Sequence, residues 1–118
     1  MLIRGIVAAQ SALMAESRRL HGSAHNRANL NTEDFKAVRV TNQEAAAPGS
    51  GVESVVHQTE ALGSPRLDAA GEVIGYESNV DIVDEAVTRI TAQRAYEANL
   101  RSLQAQVQTT DILLDELG

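Results

Sequence analysis

A chain of 118 residues and 12.6 kDa suits one small domain and leaves little room for a second. Ten basic side chains against 16 acidic ones leave a net charge of −6, which argues against a nucleic-acid-binding face. The absence of cysteine excludes a disulfide framework and any cysteine-based metal site. Phe35, Tyr76 and Tyr96 are the only aromatic residues, so a core has to come from Val, Ile, Leu and the 18 alanines. That composition fits helix packing on helix better than an enzyme with a deep pocket.

In the first third, Ile3, Ile6, Val7, Leu13, Met14, Leu20, Ala24 and Ala28 recur at i, i+3, i+4 and i+7. The spacing predicts one amphipathic helix over residues 1–28, roughly 40 Å long. Gln10 and Ser17 interrupt the stripe and narrow it toward a coiled-coil seam. Arg4 and Gln10 bracket the apolar run from Gly5 to Ala9, which is too short for the hydrophobic region of a signal peptide. The segment therefore reads as mature helix, and export would need a route without a cleaved leader. No stretch approaches the ~20 apolar residues of a membrane span.

Residues 29–36 are rich in Asn, Thr and Asp, which favour turns and caps. Residues 37–77 read as a short β and loop segment with two to four strands. Val38 and Val40 alternate with Arg39. The stretch from Val52 to Thr59 is β-branched, and Val73, Ile74 and Tyr76 suggest a last short strand. Ala45 to Gly51, Gly63-Ser64-Pro65 and Ala70-Gly71 read as loops between them.

Residues 78–118 carry the strongest pattern. Neither Pro nor Gly occurs from Val80 to Leu117, which predicts a helix about 57 Å long. Ser78, Asn79 and Asp81 offer N-caps, and Asp81, Asp84 and Glu85 place negative charge where the helix dipole favours it. The apolar stripe changes face along this helix. Val83, Val87 and Ile90 share one side, while Tyr96, Leu100, Leu103, Val107, Leu114 and Leu117 keep a heptad spacing. At about 100° per residue, Tyr96 lies roughly 220° around from Val83. A helix that buries opposite sides in its two halves belongs between neighbours, so the pattern points to an assembly protein.

Candidate chemistry is thin. His21 and His25 stand at i, i+4, but no third ligand accompanies them, and helix histidines near a C-terminus are the simpler reading. Gly49-Ser50-Gly51 lacks the Lys-Ser/Thr of a phosphate loop. Arg89, Arg94 and Arg101 read as a solvated or inter-subunit charged set. The expectation is no enzyme activity, no cofactor, no metal, no nucleic acid and no small-molecule substrate. Mixed charge on the polar faces and the net acidic balance also disfavour a helix lying on a membrane.

Two segments resemble the terminal motifs of the bacterial flagellar axial proteins, the rod and hook family. The run from Ala28 to Lys36 is similar to the motif that closes the family's N-terminal helix. Asn26, Ala28, Asn29, Thr32, Phe35 and Lys36 match it, while His25 and Asp34 replace a usual Asn and Gly. Ser78-Asn79-Val80-Asp81 through Glu85, continuing as Ala92-Gln93-Arg94-Ala95-Tyr96-Glu97-Ala98-Asn99, is similar to the C-terminal signature, with Ala86 where Met is usual. Only about 40 residues separate the two motifs, and the run from Asp68 to Tyr76 resembles the approach to that signature in a short proximal-rod type of the family.

The resemblance implies a mainly α fold in which long N- and C-terminal helices pair as a coiled coil around a small β segment. It implies a structural subunit of the proximal rod, polymerising through its terminal helices into the shaft that transmits torque from rotor to hook. The implied partners are copies of itself, other rod proteins and the flagellar export apparatus. The implied location is the periplasmic rod of the basal body. Asn29, Asn31 and Thr32 are expected to end the first helix and Phe35 to anchor the turn against the long helix. Val83, Val87 and Ile90 are expected to face a neighbour. Tyr96, Leu100, Leu103, Val107, Leu114 and Leu117 are expected to form a seam with Ile3, Ile6, Leu13 and Leu20. Arg94, Glu97 and Asn99 are expected to make polar contacts between subunits. The alternative is a helical adaptor or regulatory paralogue of the family that never polymerises.

Overall fold

The computed structural model describes residues 2–118; Met1, the first position of the helix expected over 1–28, lies outside the described residues. Helix α1 spans Leu2–Ala28. Four strands follow, β1 (Val38–Glu44), β2 (Val52–Gln58), β3 (Pro65–Leu67) and β4 (Val73–Tyr76), and helix α2 closes the chain over Ile82–Leu117. The molecule is a rod, 81 × 25 × 14 Å, with a radius of gyration of 20.4 Å. A compact chain of this length would have a radius near 13 Å.

The helices run antiparallel. A Cβ added at Gly5 would stand 2.8 Å from the side-chain oxygen of Gln106, and at the other end Asn26 hydrogen-bonds Glu85 at 2.9 Å. By that register α1 begins opposite residue 109, and residues 110–117 of α2 extend past it. The N-terminus of α2 is capped by Asp81, whose carboxylate accepts from the backbone N–H of Val83 at 2.9 Å and of Asp84 at 3.4 Å. The helix therefore starts two residues later than the absence of Pro and Gly alone suggested. Gly118 ends it, donating its N–H to Leu114 at 2.9 Å.

Strands β1 and β2 form a hairpin in register from Val38↔Gln58 to Glu44↔Val52. The hairpin lies along α1. Ser11 Oγ accepts from the N–H of Val52 at 3.0 Å. Gly51, at φ +101°, lies so close to Ser11 that a Cβ there would collide with its hydroxyl. Strands β3 and β4 form a second hairpin, with an irregularity between Arg66 and Leu67. Asp68 closes its turn, the carboxylate accepting from the N–H groups of Ala70 and Glu72, both at 2.9 Å. Strand β3 lies where the sequence reads as loop. Pro65 begins it, a position where a missing N–H costs no ladder bond, and its pairing with Tyr76 extends it.

Few large side chains are buried. Among the described residues the buried apolar ones are Ala9, Ala15, Ala37, Val80 and Ala92, and the buried polar ones are Glu16, Ser23, Asn26 and Glu85. On α2 the residues that lose exposure are Glu85, Thr88, Ala92, Ala95, Tyr96, Asn99, Leu103, Gln106 and Thr110. This corrects the expected seam. Tyr96 and Leu103 are half-buried in it, whereas Leu100, Val107, Leu114 and Leu117 are exposed. On α1, Ile6, Leu13 and Leu20 are half-buried and Ile3 is exposed. The physical reason is close approach. Gly5, Ala9 and Ala92 let the backbones meet, so small residues occupy the contact line and bulkier ones are turned to its edges.

Candidate assembly site

The best-ordered chemistry lies where α1 ends, β1 begins and α2 begins. Asn26 sits on the buried face of α1, two residues before the helix stops. Its side-chain oxygen accepts from the N–H of Val38 at 2.8 Å, and its NH2 donates to the Val38 carbonyl at 2.8 Å. The same NH2 donates to Glu85 Oε1 at 2.9 Å. One side chain therefore pairs with the first residue of β1 as a strand would, and also reaches α2. Ser23 Oγ donates to the Glu85 carbonyl at 3.2 Å, one turn earlier on the same stripe.

Glu85 is fully buried. Arg39 of β1 donates to its Oε1 at 3.2 Å and lies 3.8 Å from Asp84. A buried carboxylate needs such a partner, because an unpaired one would bear the full cost of desolvation. Its other oxygen, Oε2, has no hydrogen-bond partner among the described residues. Glu85 also lines a cavity of about 70 Å³ together with Arg19, Ser23 and Thr88, which is roomy enough for water.

Asn79 holds the second junction. Its side-chain oxygen accepts from the Ala37 N–H at 2.6 Å, and its NH2 donates to the carbonyls of Ala61 at 2.7 Å and Thr59 at 3.4 Å. Its own N–H donates to the Phe35 carbonyl at 3.2 Å. Asn79 thus binds the turn, the exit of β2 and the entry to α2. The Ser78 hydroxyl accepts from the N–H of Val80, itself buried, at 3.3 Å.

In the turn after α1, Asn29 donates to the His25 carbonyl at 2.9 Å, and the Thr32 hydroxyl donates to Asn29 at 3.0 Å. Ala28 and Asn31 are exposed. The Phe35 ring meets His25 edge-on, centroids 5.5 Å apart at 64°. The Phe35 ring thus ties the turn to α1. Lys36 pairs with Glu60 at 3.5 Å. Asp34 adopts φ 56°, the left-handed conformation that Gly would take without strain. Its N–H donates to the Tyr76 carbonyl at 2.9 Å and its carboxylate accepts the Tyr76 N–H at 3.0 Å, which ties the turn to β4.

The outward face carries the other expected residues. Val83, Val87 and Ile90 are exposed on α2, as are Arg94 and Glu97. Asn99 is half-buried and donates to the Ala95 carbonyl of its own helix at 2.9 Å. Sequence reasoning treated Glu85 as a helix-start charge and gave no role to Arg39 or Ser23. The available signal was phase, since Glu85 lies on the same stripe as Ala92 and Leu103.

The geometry defines a class, a rod-shaped helical hairpin whose polar junctions are satisfied and whose large apolar side chains point outward. Comparison with known proteins gives the family. Residues 76–116 match the family described as flagellar basal body rod FlgEFG protein C-terminal. The chain is 38% identical over 112 residues to the flagellar basal-body rod protein FlgC of Salmonella typhimurium, covering 80% of this chain and 82% of that one. It is 36% identical over 112 residues to the protein of the same name from Escherichia coli O157:H7, with the same coverage. The protein of that name from Yersinia enterocolitica is 36% identical over 115 residues, again with 80% and 82% covered. The chain belongs to the flagellar basal-body rod protein family. It is a structural protein, not an enzyme.

Proposed function

We propose that this chain polymerises through its terminal helices, with copies of itself and with other rod proteins, into the shaft that carries torque from rotor to hook. One observation supports the reading above all others. The chain buries alanines and a polar network, and leaves Val83, Val87, Ile90, Leu114 and Leu117 more than half exposed. An apolar surface of that extent on a small chain marks a protein–protein interface. Passage through the flagellar export apparatus to the periplasm belongs to the same reading. A seam of small and polar residues suits a chain that must be delivered unfolded, because its helices gain most of their stability from neighbours.

The test is recovery of the tagged chain in purified basal bodies, beside the same measurement for Val87→Asp. Val87 is exposed, so the charge leaves the isolated fold intact and acts only on assembly. The expected result is that the unaltered chain fractionates with the rod, and that Val87→Asp stays out of it with motility lost. A chain that remains a soluble small oligomer and never enters the basal body would instead be an adaptor.

A further inference from the structure

Residues 110–117 of α2 extend past the start of α1. At roughly 100° per residue, Leu113, Leu114 and Leu117 continue the stripe on which Ala92, Leu103 and Gln106 face α1. Among the described residues none of α1 lies opposite them, and the three leucines are 44%, 61% and 85% exposed. Asp111 and Glu116 flank them, Asp115 lies on the opposite face, and the last turn holds no basic residue. At the other end of the helix pair, Ile82, Ala86 and Ile90 line a groove of about 300 Å³ with Arg27 and Arg89. The Arg27 Nε is buried without an acceptor, and Arg89 forms no ion pair, among the described residues.

We propose that the acidic, leucine-bearing end of α2 docks on the Ile82–Ala86–Ile90 strip of a second copy of the chain, with Asp111 and Glu116 at its edges facing Arg89 and Arg27. The proposal rests on the rod-subunit reading and names the contact by which one copy meets the next. The charges choose the occupant. Two leucine ends docked on each other would bring four flanking carboxylates together, and like charges across an interface disfavour that pairing. The leucine end set against the arginine-edged strip pairs opposite charges. With the two α2 helices parallel, each copy offers one surface to the copy before it and the other to the copy after it, so the contact is heterologous and repeats. The offset between residues 86 and 115 along α2 sets the stagger of successive copies at about 44 Å.

The chain has no cysteine, so disulfide cross-linking of the full protein is site-specific. Leu117→Cys and Ile90→Cys are made singly and together, and oxidised mildly both in solution and in isolated basal bodies. Mixing the two single variants is expected to give a dimer, the double variant a ladder, and each single variant alone only monomer. Dimer from Leu117→Cys alone overturns the proposal, because it shows a symmetric contact. No cross-link in any combination, with the chain present in the basal body, overturns the head-to-tail contact and leaves the rod reading standing. Absence of the unaltered chain from basal bodies overturns both. A charge swap guards against misfolding. Arg89→Glu on the Ile90→Cys chain is expected to cut the cross-link yield about tenfold, and Glu116→Arg on its partner to restore it. Failure of the swap to restore the yield, with both chains folded by circular dichroism, counts against the contact.

Discussion

Asn26 concentrates more of the fold than any other single side chain. It supplies donor and acceptor to Val38 and a donor to Glu85, and only 1% of its surface is exposed. Asn26→Ala would leave the Val38 N–H, the Val38 carbonyl and one Glu85 bond without partners in a buried place. A cost of about 3 kcal/mol is expected from such a loss, read as a lower midpoint in urea denaturation. Asn99→Ala removes only a bond to its own helix, and is expected to change stability by less than about 0.5 kcal/mol in the same assay. Asp34 allows a second comparison. Its positive φ favours Gly or Asn, while its carboxylate holds the Tyr76 N–H. Asp34→Asn, which tolerates the conformation and keeps an acceptor, should be nearly neutral. Asp34→Ala, which keeps the strain and loses the bond, should cost about 1–2 kcal/mol by the same denaturation.

At the scale of elements, the helix pair depends on small residues at its contact line. Ala92 is fully buried between α1 and α2. Ala92→Leu inserts a large side chain where the backbones approach, and overpacking of that kind costs about 1–3 kcal/mol. The expected outcome is loss of helix pairing, seen as a drop in helix content by circular dichroism in the free chain. Leu103→Asp, which places a charge in the half-buried seam, should likewise abolish rod assembly, scored by recovery in basal bodies. The elements other than β3 were legible in the sequence because their signals are local. The long stretches without Pro or Gly, the cap at Asp81 and the alternation of Val38 and Val40 all act within a few residues. The contact line was not legible. The heptad of Tyr96, Leu100 and Val107 is the more conspicuous pattern, but it marks the outer edge of the pair. Periodicity reports which residues avoid water in the assembled state, and an assembly subunit has more than one surface of that kind. The Asn26–Glu85–Arg39 junction was hidden for another reason. It joins residues 59 positions apart, and a carboxylate four residues past an N-cap looks the same whether its partner is water or an arginine from a distant strand.

At the scale of the whole molecule, the distribution of burial predicts a gradient of stability. The polar junctions gather where the end of α1, the turn, β1 and the start of α2 meet. The opposite end holds the contact of Gly5 with Gln106, whose side-chain oxygen is buried without a partner among the described residues, and then the unpaired turns 110–117. Local opening is easiest where few buried contacts hold the backbone. Amide hydrogen exchange on the free chain should therefore be slowest around Asn26, Val38 and Glu85. It should quicken along both helices toward residues 2–9 and 106–117. Assembly should reverse the gradient at that far end, because a neighbour covers Leu113, Leu114 and Leu117, while amides at the junction change little. Uniform protection along both helices in the dilute free chain would mean that the pair is self-sufficient, and the small, polar contact line could not then be the reason the subunit needs neighbours. The gradient and its reversal together would tie the composition of the core, alanine and hydrogen bonds in place of leucine, to a structure completed only in the rod.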